Sequence, residues 1–313
     1  AAGARAGQEL LVMSETAGSS RELAETLAEQ DIVSFDLETT ALQPREAEIV
    51  GFAFSWQKDQ GAYVPTLAPG ADAAIPVQQV LDVLRHVLEG EKPGKVGQNL
   101  KYDGAVLKNY GVELPVPAND SMLSSYLLQP SRRGHGLDAL ALRHLNYRPV
   151  KIDELIGKKG AVRMDQVPVA KVAPYACEDA DVALQLCTLL GDAVREQGLE
   201  ELLRTLELPL VPVLAAMEWT GVKIDQDHLR GLSKEFDGRL KALEEEIYAE
   251  AGREFNVNSP KQVSEVLFDE MELPPPRGKK TTHGYSTAAG VLEDLCEDNP
   301  ICRHLLDYRE LSK

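Results

Sequence analysis

Three short runs near the start of the chain limit what it can fold into. IVSFDLE at 32–38, EIVGFAFSW at 48–56 and GAYVP at 61–65 are rich in β-branched and aromatic residues, with turn residues between them. They read as successive strands. The period then changes: Val77, Val80, Leu81, Leu84, Val87 and Leu88 recur in steps of three and four, which predicts a helix over 77–88. KVGQN at 95–99 is a short strand; Asn99 can cap the helix that follows, and Gly111 can end it. Helical patterns return at 120–128, 137–145 and 169–196. Early strands followed by helices predict an α/β fold, a mixed sheet with helices packed around it.

After Gly198 the pattern is wholly helical. The stretch 206–217 is apolar but contains Pro209 and Pro212, so its helix is expected to kink or to start late. Leu229, Leu232, Phe236, Leu240, Leu243, Ile247 and Ala251 make 227–251 a long amphipathic helix. Ser259-Pro260 is an N-cap followed by proline at the first helical position. PPPRGKKTTHGYST is a loop, and a last helical stretch runs to Lys313. No internal repeat is present.

Composition excludes several classes. No run approaches the ~18 apolar residues of a membrane span, and the first residues lack the basic start and apolar core of a secretory signal. Four cysteines (Cys177, Cys187, Cys296 and Cys302) form no C-x-x-C pair, so they read as free thiols in a reducing cytoplasm rather than as a zinc site. The net charge of −17 opposes a polyanionic partner, except where clustered carboxylates bind metal ions that invert the local field. Asp and Glu number 50 against 33 Lys and Arg, more than one such cluster explains; a high-salt habitat would account for the rest. The chain lacks an initiator Met, which suggests an excised piece of a longer protein.

Three acidic blocks carry the chemistry. Asp36 and Glu38 in SFDLETT are i and i+2 on a strand, so both face one side, between the core positions Val33, Phe35 and Leu37. A surface strand could carry the same pair for solubility. Asp103 in VGQNLKYDGAVLKNYG lies in the first turn of a helix, where a carboxylate also complements the helix dipole. Tyr175 and Asp179 in PYACEDADVALQL are four apart on one helix face, in a run that with Glu178 and Asp181 also fits a solvated surface. Singly, each block has an ordinary reading. Together, D-x-E, N-x-x-x-D and Y-x-x-x-D make a site for two divalent cations, Mg²⁺ or Mn²⁺ by the hardness of the oxygen ligands. Two such ions ~3.5–4 Å apart clamp the attacking and leaving oxygens of a phosphodiester displacement.

FDLETT, VGQNLKYD and YACEDAD resemble the three exonuclease motifs of the proofreading domain of bacterial family A DNA polymerases, of the tyrosine-bearing DEDD type. DSMLSSYLLQP, LELPLVPVLAAMEWTGVKID, FNVNSPKQVSEVLF and ICRHLLDYRELSK resemble the same family in the same order, from about residue 31 onward. The resemblance implies an RNase H-like exonuclease domain over 1–200, then the first part of an all-α polymerase thumb over 201–313. It implies a monomer that removes nucleotides from the 3′ end of single-stranded DNA, within a parent polymerase that binds a primer-template duplex. By its terms Asp36 bridges both metals. Glu38 and Asp179 complete the site of the ion that activates water, and Asp103 serves the second. Tyr175, with Glu38, positions the water. Leu42 wedges beside the terminal base, and Gln98, Asn99, Lys101 and Tyr102 support substrate or acids. Ile152 falls where some relatives have a phenylalanine that packs on substrate.

In the thumb-like loop, Arg277, Lys279, Lys280, Thr281 and Thr282 offer the cations and hydroxyls that phosphate contacts use. No palm or fingers block follows, so polymerisation is not expected of these residues. An RNase D-like or Werner-like exonuclease would share the acids but not LPLVPVLAAMEWTGVKID. A non-catalytic DNA-binding scaffold would not need all four acids intact.

Overall fold

The structure is a computed structural model that describes residues 9–11, 17–70, 72–158, 160–276 and 284–313. The expected phosphate-contacting residues Arg277, Lys279, Lys280, Thr281 and Thr282 lie outside the described residues. The chain divides into two compact units, Ala1–Gly221 and Val222–Lys313.

The first unit is built on a six-stranded sheet in the order β1-β4-β3-β2-β5-β6. Its strands are β1 (Glu9–Leu11), β2 (Ile32–Thr39), β3 (Ile49–Ser55), β4 (Gln60–Pro65), β5 (Gly94–Gly97) and β6 (Asn119–Asp120). β2, β3 and β4 form an antiparallel meander, while β1, β5 and β6 join in parallel, so the sheet is mixed as the strand pattern predicts. β1 and β6 are too short, at three and two residues, to give a period, and sequence reasoning missed both.

The two faces of the sheet do different work. Phe35 and Leu37 pair across to Phe54 and Phe52. This face is closed by α1 (Ala17–Ala28) and α2 (Val77–Glu89) through Leu23, Leu27, Leu81, Leu84 and Leu88, all nearly inaccessible to solvent. Burying each such side chain contributes about 1.5–3 kcal/mol. The opposite face carries Asp36, Ala53 and Tyr63 in one cross-strand row and is covered by α7 (Val169–Glu196). α3 (Leu100–Lys108), α4 (Ser121–Leu128), α5 (Leu137–Leu140), α6 (Ile152–Ile156) and α8 (Glu200–Leu202) surround the sheet. α5 runs on as a wide π turn to Leu145. α9 (Leu208–Thr220) continues from α8 through another such turn at Leu203–Glu207 with no break in the helical backbone, so the expected late start does not occur, although Pro209 lies in its first turn and Pro212 inside it.

The second unit is helical: α10 (Gln226–Ala251), α11 (Pro260–Ser264), α12 (Ala289–Leu295) and α13 (Pro300–Leu311). Ser259 caps α11 by accepting from Gln262 N, with Pro260 at the first position. Ile247, Val263, Leu267, Ile301 and Leu305 form its core. The apolar stripe of α10 is used unevenly: Ile247 is buried, whereas Leu229 and Phe236 are exposed.

The cysteines are free: Cys177, Cys187 and Cys302 are buried and Cys296 is half-buried. Among the described residues no helix is long and apolar enough to cross a membrane.

Candidate active site

β2 presents Asp36 and Glu38 on the face opposite Phe35 and Leu37. Their cross-strand partners on β3 are Ala53 and Gly51, which are small, so side-chain space is left beside both carboxylates. Gly51 has no alternative: a Cβ there would stand 2.6 Å from Cε2 of Tyr63, inside a buried ring. Asp103, in the first turn of α3, is 3% exposed, and its Oδ1 accepts from Leu37 N at 3.2 Å. That bond places its carboxylate against β2 at Leu37, not on an outer helix surface. α7 brings Asp179 and, one turn earlier, Tyr175, whose hydroxyl donates to Asp179. Asp36, Glu38 and Asp179 each offer an oxygen within 4.8 Å of the others.

Burial and mutual repulsion make this cluster costly to ionise. Burial raises the Asp36 carboxyl from 3.8 to about 6. Glu38 is pushed well up by burial first, then by the charges of Asp36, Asp179 and Asp103. Burial and Asp36 likewise raise Asp103 and Asp179. The Tyr175 hydroxyl is pushed far above its usual range by burial and by Asp179 and Glu38, so it remains a proton donor at any working pH. An all-oxygen, acidic donor set this compact fits a hard divalent cation: oxygens at ~2.1 Å from an octahedral Mg²⁺ stand ~3–4 Å apart.

The neighbouring acids of α7 do not form a solvated face. Glu178 is 6% exposed and accepts from Val150 N at 2.7 Å and from the Tyr147 hydroxyl. Asp181 is 2% exposed and accepts from Asp59 N at 3.0 Å. Both carboxylates hold loops against the helix, which a charge run alone does not reveal.

An open cleft of about 480 Å³ lies over the acids, lined also by Leu42, Gln98, Asn99, Tyr102, Met122, Ile152 and Tyr175. Leu42 stands at its mouth, 92% exposed. Gln98 Nε2 donates to His135 O at 2.9 Å, and Ser121 donates to Gln98. The Tyr102 hydroxyl is 2.6 Å from Thr39 Oγ1 and donates to Ala41 O at 2.5 Å. Lys101 points elsewhere, pairing with Glu218 on α9.

Asn99 does not cap α3 with its side chain; it takes a left-handed backbone (φ 63°, ψ 44°). Asp120 does the capping instead. It is 1% exposed, and its carboxylate accepts from Leu100 N at 2.9 Å on α3 and from Met122 N at 2.9 Å on α4. One buried carboxylate thus satisfies orphan donors of two helices. Sequence reasoning missed Asp120 and Thr39; the D-S dipeptide opening α4 was a capping signal for the first, and Thr39 carried none.

Residues 11–195 match the sequence model described as 3′-5′ exonuclease. The chain belongs to the 3′-5′ exonuclease family. Residues 226–313 of this exonuclease match a second model, DNA polymerase family A. Both matches bear out the resemblance to family A DNA polymerases. The exonuclease chain is similar to DNA polymerase I of Rhizobium leguminosarum, 38% identical over 304 residues, covering 90% of this chain and 30% of that protein. It is similar to DNA polymerase I of Pseudomonas aeruginosa, 37% identical over 295 residues, covering 92% of this chain and 32% of that protein. The chain therefore spans about a third of the length of these relatives. Among solved structures, the POL domain of Pol1 from M. smegmatis, in complex with DNA primer-template and dNTP, matches with a TM-score of 0.75 and 25% identity. That match covers 94% of this chain and 47% of the other.

Proposed function

We propose that this exonuclease hydrolyses single-stranded DNA from its 3′ end with two divalent cations, Mg²⁺ or Mn²⁺, and that it proofreads within a DNA-directed DNA polymerase. The observation that carries this reading is the convergence of Asp36, Glu38 and Asp179 within 4.8 Å, with Asp103 buried against the same strand. Asp36, central among the charges, would be shared by both ions. Glu38 and Asp179 would complete one site and Asp103 the other. Bound there, the cations would polarise the scissile phosphate, activate water and stabilise the leaving oxygen.

The chain's own groups then have separate tasks. The Tyr175 hydroxyl, a proton donor at working pH, orients the attacking water together with Glu38. Leu42 at the cleft mouth wedges against the terminal base. Gln98, Asn99 and Tyr102 shape the cleft, while Lys101 contributes through its pairing with Glu218. Ile152 lines the same cleft and offers an apolar surface where some relatives stack a phenylalanine.

We assign residues 1–200 to the exonuclease domain and 201–313 to the start of the thumb. Arg277, Lys279, Lys280, Thr281 and Thr282 would contact the phosphates of a primer-template duplex. We expect a monomer acting in the cytoplasm. The test is a single strand labelled at either end, incubated with and without Mg²⁺. A 5′-labelled strand should shorten stepwise and a 3′-labelled one should release labelled mononucleotide at once, both only with metal. Shortening of the 3′-labelled strand from its 5′ side, or equal cleavage in EDTA, would overturn the proposal.

A further inference from the structure

The loop after β2 carries Leu42 to the cleft mouth with 92% of its surface exposed, so Leu42 stands wherever the loop is held. α3 holds the loop at two points. The Tyr102 hydroxyl donates to Ala41 O at 2.5 Å, and Asn109, just past the helix, donates through Nδ2 to Pro44 O at 2.6 Å. A third hold comes from the last turn of α9. Arg45 Nη1 donates to Trp219 O at 2.9 Å, and its guanidinium lies 5.0 Å from the centroid of the Trp219 ring. Lys108 on α3 approaches the same ring to 5.7 Å, so the half-buried indole meets two cations. The last carbonyls of a helix lack internal partners and form its negative end, so a guanidinium that both bonds one and covers the adjacent indole is doubly held. Gly221, at φ 67°, ends α9 immediately afterwards.

We propose that Trp219 is a positioning residue for the exonuclease reaction: by gripping Arg45 from the end of α9 it fixes the loop after β2, and so sets where Leu42 meets the terminal base. The inference rests on the reading of Leu42 as a wedge. A wedge matters most where the 3′ base must be parted from a complementary strand. It matters less for a single strand whose end is already free. Loosening the grip should therefore change the ratio of cleavage on paired and unpaired ends, and leave the saturated rate on single strands alone. Lost stability by itself would lower both rates together.

The experiment compares single-turnover cleavage, at saturating Mg²⁺, of one 3′ sequence presented as a single strand and as a duplex end. The variants are Leu42→Ala, Arg45→Ala, Trp219→Ala, Trp219→Phe and the Arg45→Ala/Trp219→Ala pair. Arg45→Ala and Trp219→Ala should each lower the duplex-to-single-strand ratio roughly two- to fivefold, the range of one such cation–ring contact. The pair should be no worse than Arg45→Ala alone, because that change already removes both the ring contact and the bond to the carbonyl, whereas Trp219→Ala removes only the ring contact. Trp219→Phe, which keeps a ring, should recover most of the ratio. If Leu42→Ala lowers the ratio while Arg45→Ala and Trp219→Ala leave it at the parental value, the grip is refuted and the wedge survives. An unchanged ratio for Leu42→Ala overturns the wedge reading and this inference with it. Equal slowing on both substrates by the Trp219 and Arg45 variants refutes the grip as well.

Discussion

Asp36 binds its proton more tightly in the folded protein than in an unfolded chain, with its carboxyl raised from 3.8 to about 6 by burial. The sign of the linkage follows. Below pH 4 both states hold the proton and the group is neutral in its effect; as pH rises from about 4 to about 6 the unfolded chain ionises first, and stability is lost. Asp36→Asn removes this contribution, so in EDTA the variant should gain on the parent in melting temperature across that window; parallel curves would contradict it. The same residue scale separates ion binding from water positioning. Mn²⁺ should raise the melting temperature of the parent, and Asp36→Ala should abolish both that rise and cleavage. Tyr175→Phe should keep the rise and slow single-turnover cleavage by roughly 10²–10³, the size of one lost transition-state hydrogen bond. A Tyr175→Phe variant cleaving at the parental rate would make the tyrosine a packing residue.

At the scale of elements, the site depends on how closely β3 and β4 approach the acids. Gly51→Ala would force the buried Tyr63 ring aside next to Glu38, and neither the strand pairing nor α7 leaves it room. Overpacking of this kind costs about 1–3 kcal/mol, so chemical denaturation should show a loss of that order, together with reduced cleavage. A variant of parental stability would mean that the ring has another place to go. Elements with a period were legible in the sequence: β2 places Asp36 and Glu38 on one face because strands alternate, and α7 stacks Tyr175 over Asp179 because helices repeat every 3.6 residues. What was not legible depends on contacts far apart in the chain. Asp120 reaches back twenty residues to cap α3, Glu178 holds the 147–150 loop, and Thr39 meets Tyr102. Asn99 looked like a cap by type, yet its left-handed backbone turns the chain into the helix while another residue does the capping.

Across the whole molecule, the net charge of −17 opposes a polyanionic substrate, so under the proposed function bound cations would have to offset it at the cleft. The acids of the cleft repel each other as well as a polyanion, and cations bound there would reverse both effects. The cleft is also where the sequence and structural similarities to family A polymerases meet a physical requirement: Glu38 and Asp103 are buried, Asp36 and Asp179 half-buried, the four charges oppose one another, and oxygens of Asp36, Glu38 and Asp179 converge. Such an arrangement has no structural benefit in the absence of cations. The most direct test is a calorimetric titration of Mn²⁺ into the protein in the presence of a deoxynucleoside monophosphate, repeated with Asp36→Ala. The account predicts uptake of two ions per chain by the parent and loss of both sites in the variant. Equal uptake by parent and variant would contradict it.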